Sequence, residues 1–386
     1  MSAQATVAEI DLNAVATNIE LVRKKVSPAR VMAVVKADGY GHGATRIAGT
    51  AMQHGADFLG VAHVEEGIKL RKEGIRARVL VMGAFFQTQA VQVLHHDLDA
   101  TVFDFQRADA LSKVAREFKK PARIHIKVDT GMGRLGVHWK EAAEFVRRVA
   151  QESHLQLVGI FTHFATADQK NKDFAYTQLE RFRRILNEIR AQGIQIPVRH
   201  VANSAAVLSL PESYFDMVRL GVSMYGYYPS PETSATLALK PAMSLKSRVA
   251  ALKEIEPGGY VSYNLTFQAQ EKTTIAVVPI GYGDGFNRLL SNRARVLIGG
   301  RRYPVVGTVC MDLIMANVGA SSEVQVGDEV VLLGRQGQEE ISIYEWCETL
   351  KTIPYEITCW VSKRVPRVYR RGGLGDGQMV RMDNLR

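Results

Sequence analysis

Cysteine is scarce in this chain: three in 386 residues, at positions 310, 347 and 359. An odd number without zinc-ligand spacing predicts neither a disulfide framework nor a metal site. Cys310, between Val309 and Met311, reads as a small buried hydrophobe. No apolar run approaches the length of a membrane span, and Met1 to Ile10 carry neither the basic flank nor the apolar stretch of a secretory leader. The expected location is cytoplasmic, with no membrane partner. Low-complexity tracts are missing, as is any internal repeat. Acidic charge is in deficit, 39 Asp and Glu against 49 Lys and Arg, which gives a formal charge of +10. The surplus is dispersed, and its densest run, residues 363–371, has no recognition motif. That run reads as a solvated face, no nucleic-acid partner is expected, and the positive balance suits anionic substrates or cofactors.

What is present is a folded composition, 46% hydrophobic, long enough for two or three domains. Eight short apolar segments read as strands at 31–35, 58–62, 78–82, 100–103, 123–128, 157–162, 198–202 and 217–220. Most are separated by helix-length stretches. Residues 140–151 and 174–191 place apolar side chains at three- and four-residue intervals, including Phe174, Leu179, Phe182, Ile185 and Ile189. Strands alternating with amphipathic helices demand parallel pairing, and eight such units close an α/β barrel of the (β/α)8 type. Lys36, His63, Gly83, Asp104, Asp129, His163, Asn203 with Ser204, and Gly221 follow the strands at the end where such barrels gather their active sites.

The rhythm breaks at 229–241. Beyond it, strand-like runs at 247–252, 274–278, 294–298, 303–309 and 329–333, with glycine-rich turns and one helix at 343–350, predict a mostly β domain. The expected division is 1–240 for the barrel and 241–386 for the β domain, with residues 1–10 pairing with the latter.

The most informative segment is Val34-Val35-Lys36-Ala37-Asp38-Gly39-Tyr40-Gly41-His42-Gly43. A buried strand runs straight into a lysine and then into glycines that let the backbone approach a ligand. A lysine kept from bulk water can lose its proton near neutrality, as covalent imine chemistry requires.

With Lys127-Val128-Asp129-Thr130-Gly131-Met132-Gly133-Arg134, His163-Phe164-Ala165, Asn203-Ser204, Arg219-Leu220-Gly221, Val261-Ser262-Tyr263, Gly281 to Gly285 and Gly307 to Asp312, this segment resembles the alanine racemase family over nearly the whole chain. The resemblance implies a homodimeric isomerase with shared active sites that uses pyridoxal 5'-phosphate to interconvert L- and D-alanine, the latter a peptidoglycan precursor. It implies that Lys36 holds the cofactor and acts as one base, and that Tyr263 from the partner chain acts as the other. His163 would assist Tyr263 and contact Arg219. Arg219 would face the pyridine nitrogen, and since a guanidinium has no acceptor, that nitrogen would stay unprotonated and the carbanion short-lived.

By the same resemblance Tyr40, Ser204, Tyr355 and the N–H groups of Gly221 and Val222 would hold the phosphate, with Asn203 beside the cofactor. Arg134 would contact cofactor and substrate carboxylate. Lys127 would carry a carbamate that positions Arg134, Met311 and Asp312 would line the substrate pocket across the dimer interface, and Tyr282 would stand near its entrance. On local grounds alone, His163 reads as a strand-end histidine bonded to a carbonyl, Arg219 as a barrel-end ion pair, Tyr355 as a packing aromatic and Met311 as core filler. The alternatives at the level of function are a racemase of broader range that accepts serine, a fold-related decarboxylase, and a cofactor-holding protein without turnover. The last is disfavoured by the β domain.

Overall fold

The structure, a computed structural model, describes residues 4–371 except 235 and 322. It falls into two compact units, Val15–Lys240 and a second made of Met1–Ala14 with Pro241–Arg386.

In the first unit the eight strands Arg30–Val34, Phe58–Val61, Val79–Val81, Asp99–Val102, Ala122–Asp129, Leu155–Phe161, Val198–His200 and Met217–Leu220 are all parallel. Runs such as Val79-Leu80-Val81 are apolar without alternation because both of their faces are covered. The strand order runs around a nearly closed barrel, and Met217–Leu220 returns to pair with Arg30–Val34. The seam between Val198–His200 and Met217–Leu220 lacks a regular ladder. It is bridged by the N–H of Asp216 donating to Arg199 O at 3.1 Å and that of Arg219 donating to Ala202 O at 2.9 Å. Met32, Phe58, Leu80, Val158, Val198 and Met217 fill one layer of the interior.

The helices follow the amphipathic reading. Asp173–Ala191 buries Leu179, Phe182, Ile185 and Ile189, whereas Phe174 stays exposed. No helix among the described residues is long and apolar enough to cross a membrane.

The second unit is mostly strand, and here the sequence reading needs correction in several places: the expected strand 303–309 is Arg301–Pro304, and Ile314–Asn317 is a strand outside the expected ones. Residues 247–252 are not one strand: Met243–Arg248 and Ala251–Ile255 join different sheets, because the chain turns at Val249 and Ala250. A second helix, Pro354–Trp360, follows the expected Ile343–Leu350 and starts on proline, whose fixed φ suits the first turn.

The basic run 363–371 is not simply a solvated face. Arg367–Arg370 is a strand parallel to Val7–Asp11, which also pairs antiparallel with Met243–Arg248. Its side chains are used locally. Arg367 donates to the carbonyls of Val361, Ser362 and Val365, Arg370 pairs with Glu9, and Arg364 pairs with Asp284 and Asp312. Cys310 is only partly buried, against a cluster of Val261, Ile275, Val306 and Met315.

Candidate active site

Lys36 follows the strand Arg30–Val34 and opens a short turn of unusual hand. Ala37, Asp38, Gly39 and Tyr40 all have φ between 51° and 65°, so the chain makes a left-handed helical turn with three non-glycine residues in it. Left-handed backbone costs about 1–2 kcal/mol for each such residue, so the turn needs outside support. Glu66 supplies it from the helix Val64–Lys72: Oε1 accepts from the N–H of Ala37 at 2.6 Å, and Oε2 from Ala62 at 2.7 Å and His63 at 3.2 Å. Asp38 closes the far side, its carboxylate accepting from the N–H of Ala44 and from Lys69. The result is an amine fixed at the barrel rim, with Lys36 Nζ 5.8 Å from the centre of the Tyr40 ring.

Beside that turn lies a cradle at the end of Met217–Leu220. Ser204 Oγ accepts from the N–H of Gly221 at 2.9 Å and of Ser223 at 3.3 Å. A Cβ on Gly221 would fall 2.9 Å from Tyr40 Oη and 3.6 Å from Ser204 Oγ, so glycine keeps open a space lined by hydroxyls and N–H groups. Such a cradle fits a phosphate, and a lysine at its edge fits an aldehyde; the residues present therefore fit pyridoxal 5'-phosphate. Val222 opens the 3-10 turn Val222–Tyr225 here. Asn203 caps the helix Ser204–Ser209, its Oδ1 accepting from the N–H of Ala206 at 3.0 Å.

Arg219 lies deeper, 4% exposed. Its guanidinium donates to the carbonyls of Thr162, His200 and Val201 and to the Nδ1 atoms of His200 at 3.2 Å and His163 at 3.1 Å. Contrary to the local reading, no described carboxylate forms an ion pair with it. Burial, and then the neighbouring Arg134, lower its pKa to about 9, which leaves it cationic at neutrality. Since arginine has no acceptor, His163 must accept at Nδ1 and carry its proton on Nε2. Burial first, then Arg219, Arg134, Lys127 and Lys36, hold His163 well below its ordinary pKa and so neutral.

Lys127, in the strand Ala122–Asp129, is 6% exposed, with Nζ 5.3 Å from the centre of the Phe161 ring. Burial and the nearby Arg219, Arg134 and Lys36 lower its pKa to about 8. Arg134 sits on the loop after that strand and is itself exposed. Other strand-end polar groups serve the loops: Asp104 caps the helix Phe105–Glu117, and Asp129 accepts from the N–H groups of Gly131 and Gly133.

Tyr263, Tyr282, Met311, Asp312 and Tyr355 belong to the second unit. Tyr263 follows Ser262 and precedes Asn264 and Leu265, all three at positive φ, and its carbonyl accepts from Thr308 Oγ1 at 2.8 Å. Its side chain is 68% exposed; those of Met311 and Tyr282 are 52% and 44% exposed. The Tyr282 loop is bonded to the Met311 segment, with N–H groups of Tyr282 and Gly283 donating to Cys310 O and Met311 O at 3.0 and 2.9 Å. Asp312 is held by Arg364 at 2.6 Å. Tyr355 lies in the first turn of Pro354–Trp360.

Sequence reasoning missed Glu66, His125 and His200. The inward alternation of His125 with Lys127 along Ile124-His125-Ile126-Lys127 was the available signal for one of them.

Comparison with known proteins agrees with this geometry. The model of the alanine racemase N-terminal domain matches residues 10–229, and that of its C-terminal domain matches residues 242–369. The alanine racemase of Symbiobacterium thermophilum is 47% identical over 364 residues, covering 94% of this chain and 97% of the relative. The alanine racemase structure from Clostridium difficile 630 has a TM-score of 0.93 at 35% identity, covering 99% of this chain and 98% of that one. A histidine racemase structure from Leuconostoc mesenteroides subsp. sake has a TM-score of 0.89 at 25% identity, covering 96% and 99%. The chain belongs to the alanine racemase family.

Proposed function

We infer that this chain interconverts L- and D-alanine with pyridoxal 5'-phosphate held through Lys36, in a homodimer whose sites are shared. The observation that carries the reading is the meeting of a rigidly held lysine turn with the Tyr40–Ser204–Gly221 cradle, above a buried arginine held by neutral acceptors. Ser204, Tyr40, Gly221 and Val222 would hold the phosphate, with Tyr355 and Asn203 nearby, and Arg219 would meet the ring nitrogen as a donor. When bound, the cofactor supplies a conjugated ring that takes up the electron pair left when the substrate's α-proton departs.

The chain's own residues move that proton. Inversion needs an acid-base group on each face of the α-carbon; Lys36 serves one face and Tyr263 of a second copy the other. A phenol is a poor base at neutrality, and a donor that stabilises its phenolate makes it a better one. The Nε2–H of His163, fixed by Arg219 at Nδ1, is such a donor. Arg134 would bind the substrate carboxylate, a carbamate on Lys127 would steady Arg134, and Tyr282, Met311 and Asp312 would limit the space beyond the α-carbon. D-Alanine formed in this way would serve as a peptidoglycan precursor.

A broader substrate range is the second reading, favoured by the likeness to a histidine racemase. The test is racemisation of alanine, serine and histidine by the purified protein, with borohydride reduction and peptide mapping of the attached ring. Alanine turnover with the label on Lys36 supports the proposal. Attachment elsewhere, or active protein without a ring, defeats it, and comparable turnover of serine or histidine selects the second reading.

A further inference from the structure

Arg219 is a buried cation whose direct partners are all neutral. A carboxylate lies at the far end of a line of imidazoles leading away from it. Arg219 donates to His200 Nδ1 at 3.2 Å, His200 Nε2 meets His125 Nδ1 at 3.0 Å, and His125 Nε2 faces Asp99 Oδ2 at 3.5 Å. Both histidine rings and the Asp99 side chain are fully buried. The last contact is long for a hydrogen bond, yet His125 Nε2 has no other partner among the described residues.

Every nitrogen in the line has a forced role. Arginine only donates, so His200 Nδ1 accepts and its proton sits on Nε2. His125 Nδ1 must then accept that proton's bond, leaving its own proton on Nε2, toward the carboxylate. Both rings thus point their lone pairs at the cation and their N–H groups at the anion, the polarity that each end favours. Both imidazoles are neutral, since burial is the largest influence lowering their pKa values. Asp99 stays ionised. Burial works against it, but His125, Arg78 and Arg123 hold its carboxyl below the ordinary value.

The barrel makes room for this line. Gly159, on the strand beside His125, has no side chain, and a Cβ there would fall 2.4 Å from His125 Nδ1, the atom that receives the bond from His200. Phe161 stacks on His200 with ring centres 4.7 Å apart and planes 10° from parallel, which fixes the plane of that ring.

We propose that Asp99, acting through His125 and His200, is the remote counter-charge that orients Arg219 for its role in the reaction. Asp99, His125 and His200 are positioning residues, since each acts only through Arg219. The consequence for turnover rests on the racemase reading, whereas the proton positions do not.

The test pairs kinetics of the holoenzyme with the downfield imidazole N–H resonances of the full chain, recorded with and without cofactor. These resonances are assigned by nitrogen-15 histidine labelling. In the wild type, His125 and His200 should both carry protons on Nε2. Asp99→Asn should lower kcat about tenfold with little change in KM, because it removes the charge while leaving the binding groups in place. It should also move the His125 Nε2–H resonance upfield and hasten its exchange. Arg78→Gln removes a partner that shares Asp99 Oδ2 with His125 but leaves the Asp99 charge in place, paired with Arg123, and should lower Tm while changing kcat far less than Asp99→Asn does. Gly159→Ala intrudes on His125 with the ion pairs of Asp99 intact, and decides the matter in the same way if Asp99→Asn does not fold. Protons on Nδ1 of either ring, unchanged kcat and resonances in Asp99→Asn and Gly159→Ala, or an equal loss of kcat in Arg78→Gln would overturn the proposal. The resonances decide it even for a protein that fails to racemise alanine.

Discussion

Glu66 Oε1 accepts a hydrogen bond from the backbone N–H of Ala37 at 2.6 Å, one residue beyond Lys36. A single carboxylate therefore ties the lysine turn to the end of the neighbouring strand, through Ala62 and His63. Glu66→Ala should free this turn to relax toward right-handed backbone, and a 1 Å displacement of a reacting group lowers turnover by about 100-fold. Steady-state kinetics alongside thermal melts check this; kcat within twofold of wild type would show that the turn holds itself.

Gly221→Ala tests the cradle by filling the space that glycine leaves open beside Ser204 and Tyr40. Its methyl would lie 2.9 Å from Tyr40 Oη. Equilibrium dialysis with pyridoxal 5'-phosphate should show affinity at least about tenfold weaker, a loss of about 1.4 kcal/mol, in a protein whose thermal melt shows that it is still folded. Undiminished affinity would place the phosphate elsewhere.

Tyr263→Phe should retain the fold, because the side chain is exposed, yet reduce racemisation by about 100- to 10,000-fold. With Lys36 intact, exchange of the α-hydrogen in deuterated water should persist for one enantiomer and vanish for the other. Mixing Lys36→Ala chains with Tyr263→Phe chains should restore turnover if two copies share each site, since one site of a mixed pair then has both bases. Mixtures as inactive as their parents would refute sharing.

Lys127 gives a pH test whose sign is fixed by its lowered pKa of about 8. Below pH 8 the unmodified amine is protonated in both folded and unfolded chains, and the penalty for burying the charge is fully present. Between about 8 and the ordinary 10.4 the unfolded chain holds a proton that the folded one has shed, so this group's contribution to stability rises with pH. Protein depleted of carbon dioxide should accordingly gain Tm from pH 7 to 9. Bicarbonate should raise Tm near neutrality and add a carbamate to Lys127 observable by nitrogen-15 and carbon-13 NMR. Lys127→Ala should respond to neither; a bicarbonate effect that survives in Lys127→Ala would exclude this lysine as its origin.

The eight barrel strands were legible to within one or two residues at most ends because their signal is local. An unbroken apolar run such as Val79-Leu80-Val81 stands between helix-length amphipathic stretches. Residues 247–252 misled because continuous β-propensity does not reveal a strand changing sheets at Val249. Residues 363–371 misled because charge suggests solvent, whereas the partners of Arg367 are carbonyls set by a turn.

The sequence by itself determined the alternation of elements and the lysine–glycine segment after the first barrel strand, since both depend on neighbours a few residues away. The tertiary structure decided the hand of the Lys36 turn and the neutral hydrogen-bond partners of Arg219. It also decided the line from Arg219 to Asp99. Glu66 is 29 residues from Ala37 and His125 is 75 from His200. Barrel closure brings such partners within hydrogen-bond reach, and burial then fixes which nitrogen carries each proton, because a buried donor without an acceptor is too costly to keep.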